Sequence, residues 1–510
     1  MKGSQPMKLS LLFANGNKSI SINTDSSVIR EAIYNLNIDR AITDACGNTT
    51  ATDYFLSVLS APLTVTDDVA YRQEILRDLS AEPRLLDSLM LTFKGYDNLR
   101  EENEELSGGI FRYGSSQSST VLLDCAYERA YISAHFARNV IAYIAETNAV
   151  MNGYSPKSRG LTALKEFCAR VTADPLIGEA ERGAELFRNE TPENYRFDIK
   201  LVYDRMLRVS SCELISLSEK KKEKFNPLSA LKIKKKEAIP SSVEIGSSAA
   251  ETSEIAVASA LEALADMYDA LAEGLFETLY GMSDELKFYS VAAGLERYIK
   301  GSGMSVCYPS VLPAEDNAFS ASGLYDLLLL SEGKNSTDIV KNEISVSKNV
   351  NGILVRGDNN CGKTSFLRAV GCAQIFAQAG LFVCADSFTA SVRQGIFTHF
   401  SSAEKDFSEN DAAGRFEGEV KDVARIIERL RPYSLVMLNE TFQTTAYSEG
   451  AEGIKAVLDA LPILSVKFIF VTHMLSVFNL FDADGAQSVN MLKTGENSEK
   501  YRLVPFRNGI

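Results

Sequence analysis

Residues Gly357-Asp358-Asn359-Asn360-Cys361-Gly362-Lys363-Thr364-Ser365 have the types and spacing of a phosphate-binding loop. Gly357 and Gly362 permit backbone angles that turn successive N–H groups inward, and the helix expected from Lys363 onward adds the positive end of its dipole. Lys363 is the candidate ligand for β- and γ-phosphates, and Thr364 for Mg²⁺. A second candidate lies at the end of the apolar run Ser434-Leu435-Val436-Met437-Leu438, where Asn439-Glu440 would reach a metal and polarise water. Glu440 is the general-base candidate. Asn439 stands where a carboxylate is usual and should hold Mg²⁺ more weakly. A third run, Phe468-Ile469-Phe470-Val471, delivers Thr472-His473. A lone histidine is more often structural than catalytic, and its place after another buried strand brings the two readings level.

Elements must bring these residues to one edge. Ile353-Leu354-Val355 before the glycines and FLRAVGCAQIFAQAG after them read as strand, loop and helix. The architecture expected is multidomain α plus α/β: a long-helix body followed by a nucleotide-binding domain with a mostly parallel sheet. Residues 1–45 form a segment of undetermined fold, 46–300 a helical domain, and 305–510 the α/β domain. Within the helical part, apolar residues recur at three- and four-residue steps in VAYRQEILRDL and AYERAYISAHFARNVIAYIAE, and again from Ile255 to Ile299. Residues 217–254 break the pattern with a Lys-rich, then Ser/Ala-rich stretch holding Pro227 and Pro240, expected as a flexible excursion.

These blocks resemble the MutS family of DNA mismatch-repair ATPases. The loop with Asn359 at its third position resembles that family's G-P-N-x-G-G-K-S, and Gly380 to Ala385 its G-x-x-V-P-A. Ile396-Phe397-Thr398-His399 is similar to I-F-T-R, Phe416 and Glu419 to S-T-F-x-x-E, Asn439-Glu440 to D-E, and Thr472-His473 to T-H. Thr445 and Gly450 fall at family positions, as do Tyr325-Asp326 and Lys341 to Ile344 before the loop. The helical ATDYFLSVLSAPLTVTDDVAYRQEILRDL resembles the family's core or lever. The resemblance implies an ABC-type ATPase using ATP and Mg²⁺, a homodimer, and a role at duplex, mismatched or branched DNA with a repair partner protein. It also implies a short member without the N-terminal mismatch-recognition and connector domains. Gly414 and Arg415 stand where the family has Ser and Thr, which alters any site shared across a dimer.

A net charge of −14 excludes a surface broadly coated for phosphate binding, so nucleic-acid contact must be local. Lys220, Lys221, Lys222, Lys224, Lys232, Lys234, Lys235 and Lys236 are the candidates. Placement favours a phosphate contact, whereas composition alone favours a solvated loop. Eight scattered cysteines without a C-x-x-C pair are expected as reduced thiols, and no apolar run spans a bilayer, so the expected compartment is the cytoplasm. The function expected is ATP-dependent DNA binding in mismatch repair or recombination. Two rivals stand beside it: a slow or non-hydrolysing nucleotide switch, and an ATPase acting on RNA or ribosomes.

Overall fold

The computed structural model describes residues 8–15, 25–107, 119–185, 187, 195–203, 205, 209–219, 247–401, 412–443, 447–483, 488–495 and 500–506. They form two compact units that interleave along the chain. One comprises Leu9–Asp87, Pro156–Thr162 and Asp284–Ile510, the other Met1–Lys8, Ser88–Ser155 and Ala163–Ser283. The protein is helix-rich α/β with mixed sheets.

The first unit carries both sheets. Its strands are β1 (Ser310–Leu312), β2 (Phe319–Leu324), β3 (Asn342–Val346), β4 (Gly352–Arg356), β5 (Ser387–Ser391), β6 (Ile396–Phe400), β7 (Leu435–Asn439), β8 (Lys467–Thr472), β9 (Val489–Thr494) and β10 (Leu503–Pro505). The main sheet has the order β10-β9-β4-β8-β7-β6, parallel except for β10, which returns antiparallel to β9. Its central strands are apolar runs buried on both faces, as parallel strands covered by helices must be. The smaller sheet, β1-β5-β2-β3, is mixed, with β2 antiparallel to both neighbours. The sheet component is therefore less uniformly parallel than the sequence suggests.

Helix α6 (Lys363–Ala379) follows β4 and is buried over almost its whole length. It has neighbours all round: the main sheet, and helices α3 (Thr50–Leu59), α4 (Thr66–Ala81) and α5 (Leu327–Ser331). Gln374 Nε2 donates to Gln378 Oε1 at 2.8 Å within the helix. Gln378 Nε2 donates to the Leu63 and Arg393 carbonyls, at 2.9 and 3.0 Å. Arg72 of α4 donates to Leu12 O at 2.8 Å and to Ala379 O, the end of α6, at 3.1 Å. Gly380 is required there, because its φ is +80° and a Cβ would lie 2.4 Å from Arg72 Cβ. Helices α1 (Ser26–Asn35) and α2 (Ile38–Cys46) precede these, with Asn35 Nδ2 donating to Thr398 Oγ1 of β6 at 3.0 Å. The N-terminal segment therefore supplies helices to the sheet-bearing unit. Apolar faces that match a distant sheet cannot be recognised from local periodicity, so the linear boundaries at 45 and 300 do not coincide with the units.

Helices α7 (Ala412–Arg429), α8 (Tyr447–Ala460) and α9 (Leu475–Ala483) also belong to the sheet-bearing unit. Val423, Ile454, Leu458 and Phe478 share a core with Val436, Leu438 and Phe470.

In the second unit, helices Ser119–Asn152 and Ser247–Leu279 run against each other. At 34 and 33 residues, each is about 50 Å long. Tyr96 stacks on Phe276 with centroids 5.1 Å apart, and Arg129 pairs with Glu262, Asp266 and Asp269. The unit also holds an antiparallel hairpin, Tyr195–Tyr203 with Val209–Glu219, that the helical expectation for 46–300 did not include. Its alternating residues were overshadowed by the flanking helical periodicity. Of the expected excursion at 217–254, residues 217–219 are strand and 247–254 helix; Ala and Glu in this stretch favour the helix. The eight candidate lysines lie outside the described residues.

Candidate functional site

Strand register determines what meets at the site. Val471 of β8 lies level with Val355 of β4 on one side and Asn439 of β7 on the other. The residues that follow these strands, Gly357, Glu440 and His473, therefore gather at the carboxyl edge of the sheet beside Thr472, the last residue of β8, where ligands of open α/β folds bind.

The loop from Gly357 to Gly362 turns through left-handed backbone at Asn360 (φ 60°) and Gly362 (φ 86°) before α6 begins. A Cβ at Gly357 would stand 2.4 Å from Thr494 Oγ1 of β9, and one at Gly362 would stand 3.1 Å from the Tyr501 ring. The glycines thus answer to packing as well as to conformation. Lys363 is almost fully buried; its Nζ donates to Gly357 O at 2.7 Å and Asp358 O at 2.8 Å and pairs with Glu440 Oε1 at 3.2 Å. Cys361 Sγ lies 3.8 Å from Asn359 O. Ser365 Oγ accepts from Arg368 Nη2 at 3.1 Å, and Arg368 Nε donates to Asp326 Oδ2 at 2.9 Å. Burial pushes the Asp326 carboxyl above its ordinary value, with the Arg368 guanidinium acting in the opposite direction.

Thr364 Oγ1 donates to Asn439 Oδ1 at 3.4 Å, which brings the two candidate metal ligands together. Glu440 adopts φ 54°, and its Oε2 accepts from His473 N at 3.2 Å and lies 2.9 Å from His473 Nδ1. Lys363, Glu440 and His473 are thus one connected cluster.

The remaining candidates sit beside this cluster. Gly414 and Arg415 lie near the start of α7, on residues whose side chains are not described. Phe416 packs edge-on against Phe442, with centroids 5.5 Å apart. Glu419 is buried, accepting from Ser401 Oγ and from Phe442 N. Thr445 lies outside the described residues. Sequence reasoning missed Tyr501, Thr441 and the Arg368 link, none of which carries a local motif. His399, the last residue of the block similar to I-F-T-R, is buried with Nδ1 2.8 Å from Thr441 Oγ1.

Among the described residues, no group of three or more His, Cys, Asp or Glu side chains could cage a metal, and no helix is long and apolar enough to cross a membrane. The seven described cysteines are free, with Cys168, Cys372 and Cys384 buried.

Comparison with known proteins agrees with this geometry. A family model described as MutS domain V matches residues 353–504. A mitochondrial DNA mismatch repair protein mutS homolog of Sarcophyton glaucum is 30% identical over 139 residues, covering 27% of this chain and 14% of that protein. Endonuclease MutS2 of Thermus thermophilus is 30% identical over 156 residues, covering 30% of this chain and 20% of the relative. MutS protein homolog 4 of Homo sapiens is 28% identical over 141 residues, 28% of this chain and 15% of that protein. Each match thus spans a fifth or less of the relative's length. The domain V match coincides with the strands, loop and helices that assemble the cluster, and it is this part of the chain, residues 353–504, that is similar to MutS proteins.

Proposed function

We propose that this chain is a MutS-type ATPase that binds ATP with Mg²⁺ and couples hydrolysis to movement of its long helices on DNA, in mismatch repair or recombination. The observation that carries the reading is the Lys363–Glu440–His473 cluster at the carboxyl edge of a parallel sheet. The donor set fits the nucleotide: the loop's backbone N–H groups and Lys363 suit phosphates, while Thr364 and Asn439 offer neutral oxygens to a hard cation. Mg²⁺ when bound supplies charge neutralisation at the phosphates. Lys363 exchanges its loop carbonyls for phosphate oxygens. Glu440 orients and deprotonates water, with His473 holding its second oxygen.

Gly414, Arg415 and Phe416 face a second copy in this reading, giving a homodimer with an altered shared site, and a repair partner protein supplies recognition. Asn439 favours a second reading, a nucleotide-dependent switch with slow or no hydrolysis. The lysines at 220–224 and 232–236 would supply sequence-independent phosphate contacts.

The test is binding to a panel of homoduplex, mismatched and branched DNA and structured RNA, with and without ATP and Mg²⁺, with Lys363→Ala as control. Nucleotide-dependent DNA binding lost in the variant supports the proposal. Preference for RNA or ribosomes moves the substrate assignment. No nucleotide-dependent binding to any of them refutes the coupling.

A further inference from the structure

Glu419 sits on α7 at 5% exposure, with both carboxylate oxygens engaged. One oxygen accepts from Ser401 Oγ, and the other from Phe442 N at 2.9 Å. These two donors bracket Glu440: Ser401 N donates to Asn439 O at 3.0 Å, and Phe442 follows Glu440 by two residues. The segment between is held in unfavourable backbone, with φ 54° at Glu440 and 66° at Phe442. Side-chain-bearing residues keep such angles only where their surroundings over-determine them. Thr441, between the two, is tied to His399 Nδ1 at 2.8 Å.

We propose that Glu419 is a positioning residue for Glu440: by accepting from Ser401 and Phe442, it fixes the left-handed turn that aims the Glu440 carboxylate at Lys363 and His473. The proposal rests on Glu440 serving as the hydrolytic base. It gives α7, which also bears Gly414 and Arg415, a direct mechanical connection to that base. A shift of α7 reaches Glu440 through one carboxylate.

A positional role and an electrostatic one part company at glutamine. Its amide oxygen accepts from Phe442 N–H and its NH2 donates to Ser401 Oγ, which can also accept, so the turn survives without the charge. The experiment uses the full chain as wild type, Glu419→Gln and Glu419→Ala. Three quantities are read: kcat for ATP, Kd for a fluorescent ATP analogue with Mg²⁺, and backbone hydrogen exchange of the peptide holding residues 439–442. Glu419→Ala is expected to lower kcat by about tenfold or more, with Kd within about threefold, and to speed exchange at 439–442. Glu419→Gln should stay within about threefold of wild type in all three. If Glu419→Ala does not fold, Ser401→Ala deletes one tether and should show the same pattern at smaller amplitude.

Unchanged kcat or unchanged exchange in Glu419→Ala overturns the proposal, as does a Glu419→Gln variant impaired as fully as the alanine. Failure of the ATPase reading looks different: the wild type itself neither binds nor turns over ATP. The exchange comparison needs no nucleotide and then decides the role of Glu419 alone.

Discussion

The Lys363 ammonium stands 3.2 Å from Glu440 Oε1 while donating to the carbonyls of Gly357 and Asp358, so one buried cation joins the loop to the carboxylate after β7. The two partners should fail differently. Lys363→Ala removes the charge aimed at the phosphates and should weaken ATP affinity by about a hundredfold. Glu440→Gln keeps the shape but not the base; ATP affinity should stay near wild type while turnover falls by about 10²–10⁴. Equilibrium binding and steady-state hydrolysis on the same preparations separate these outcomes. A Glu440→Gln variant with full turnover would remove Glu440 from the mechanism.

Asn439 places a neutral amide oxygen 3.4 Å from Thr364 Oγ1. A carboxylate there adds a charged ligand for a hard cation. Asn439→Asp is expected to lower the Mg²⁺ concentration giving half-maximal turnover and to raise the maximal rate, by several-fold in each case. Magnesium titration of hydrolysis checks this directly. An unchanged or lower rate would count against the switch reading, in which Asn439 limits hydrolysis.

The parts of the site legible in the sequence are those where a motif is contiguous. Gly357 to Thr364 shows itself by glycine spacing between an apolar run and a helical one, and Asn439-Glu440 and Thr472-His473 show themselves at the ends of strands too apolar to face water. Their convergence follows from parallel register, which no single segment encodes. Tyr501 against Gly362, Thr494 against Gly357 and Glu419 beneath Phe442 are partnerships across many residues, and nothing local marks them. The hairpin at 195–219 and the membership of residues 9–87 in the sheet-bearing unit were hidden for the same reason: only the partner reveals the face.

Arg72 tests how strongly that N-terminal segment supports α6. Its guanidinium is fully buried between the rings of Phe13 and Phe288, at 5.1 and 5.7 Å, and bonds the Leu12 and Ala379 carbonyls. Burial pushes its pKa below the ordinary arginine value. Arg72→Ala leaves a cavity and two buried carbonyls short of a donor, and should cost about 2–5 kcal/mol. Exposed Arg84→Ala, as control, should change stability by less than about 0.5 kcal/mol. Urea denaturation of both variants measures the contrast, and equal midpoints would mean that α4 does not support α6 through this residue.

His399 predicts how stability depends on pH. Burial lowers its pKa below the ordinary 6.5, while the carboxylates of Glu419 and Asp422 pull the other way. The folded state therefore favours the neutral ring, which Thr441 engages at Nδ1. A depressed folded pKa means that the unfolded chain binds the proton first as pH falls, so this contribution is present above 6.5 and is lost as pH drops through the folded value. Between pH 7 and 5 the wild type should lose stability with a slope steeper than that of His399→Asn by up to about 1.4 kcal/mol per pH unit. Asparagine retains a polar group near the Nδ1 position but does not titrate, so Thr441 keeps a partner and only the pH term is removed. Denaturation midpoints at pH 5, 6 and 7 decide it: parallel curves for the two proteins would show that His399 does not titrate with unfolding, whereas a steeper fall of the wild type between pH 7 and 5 is the expected result.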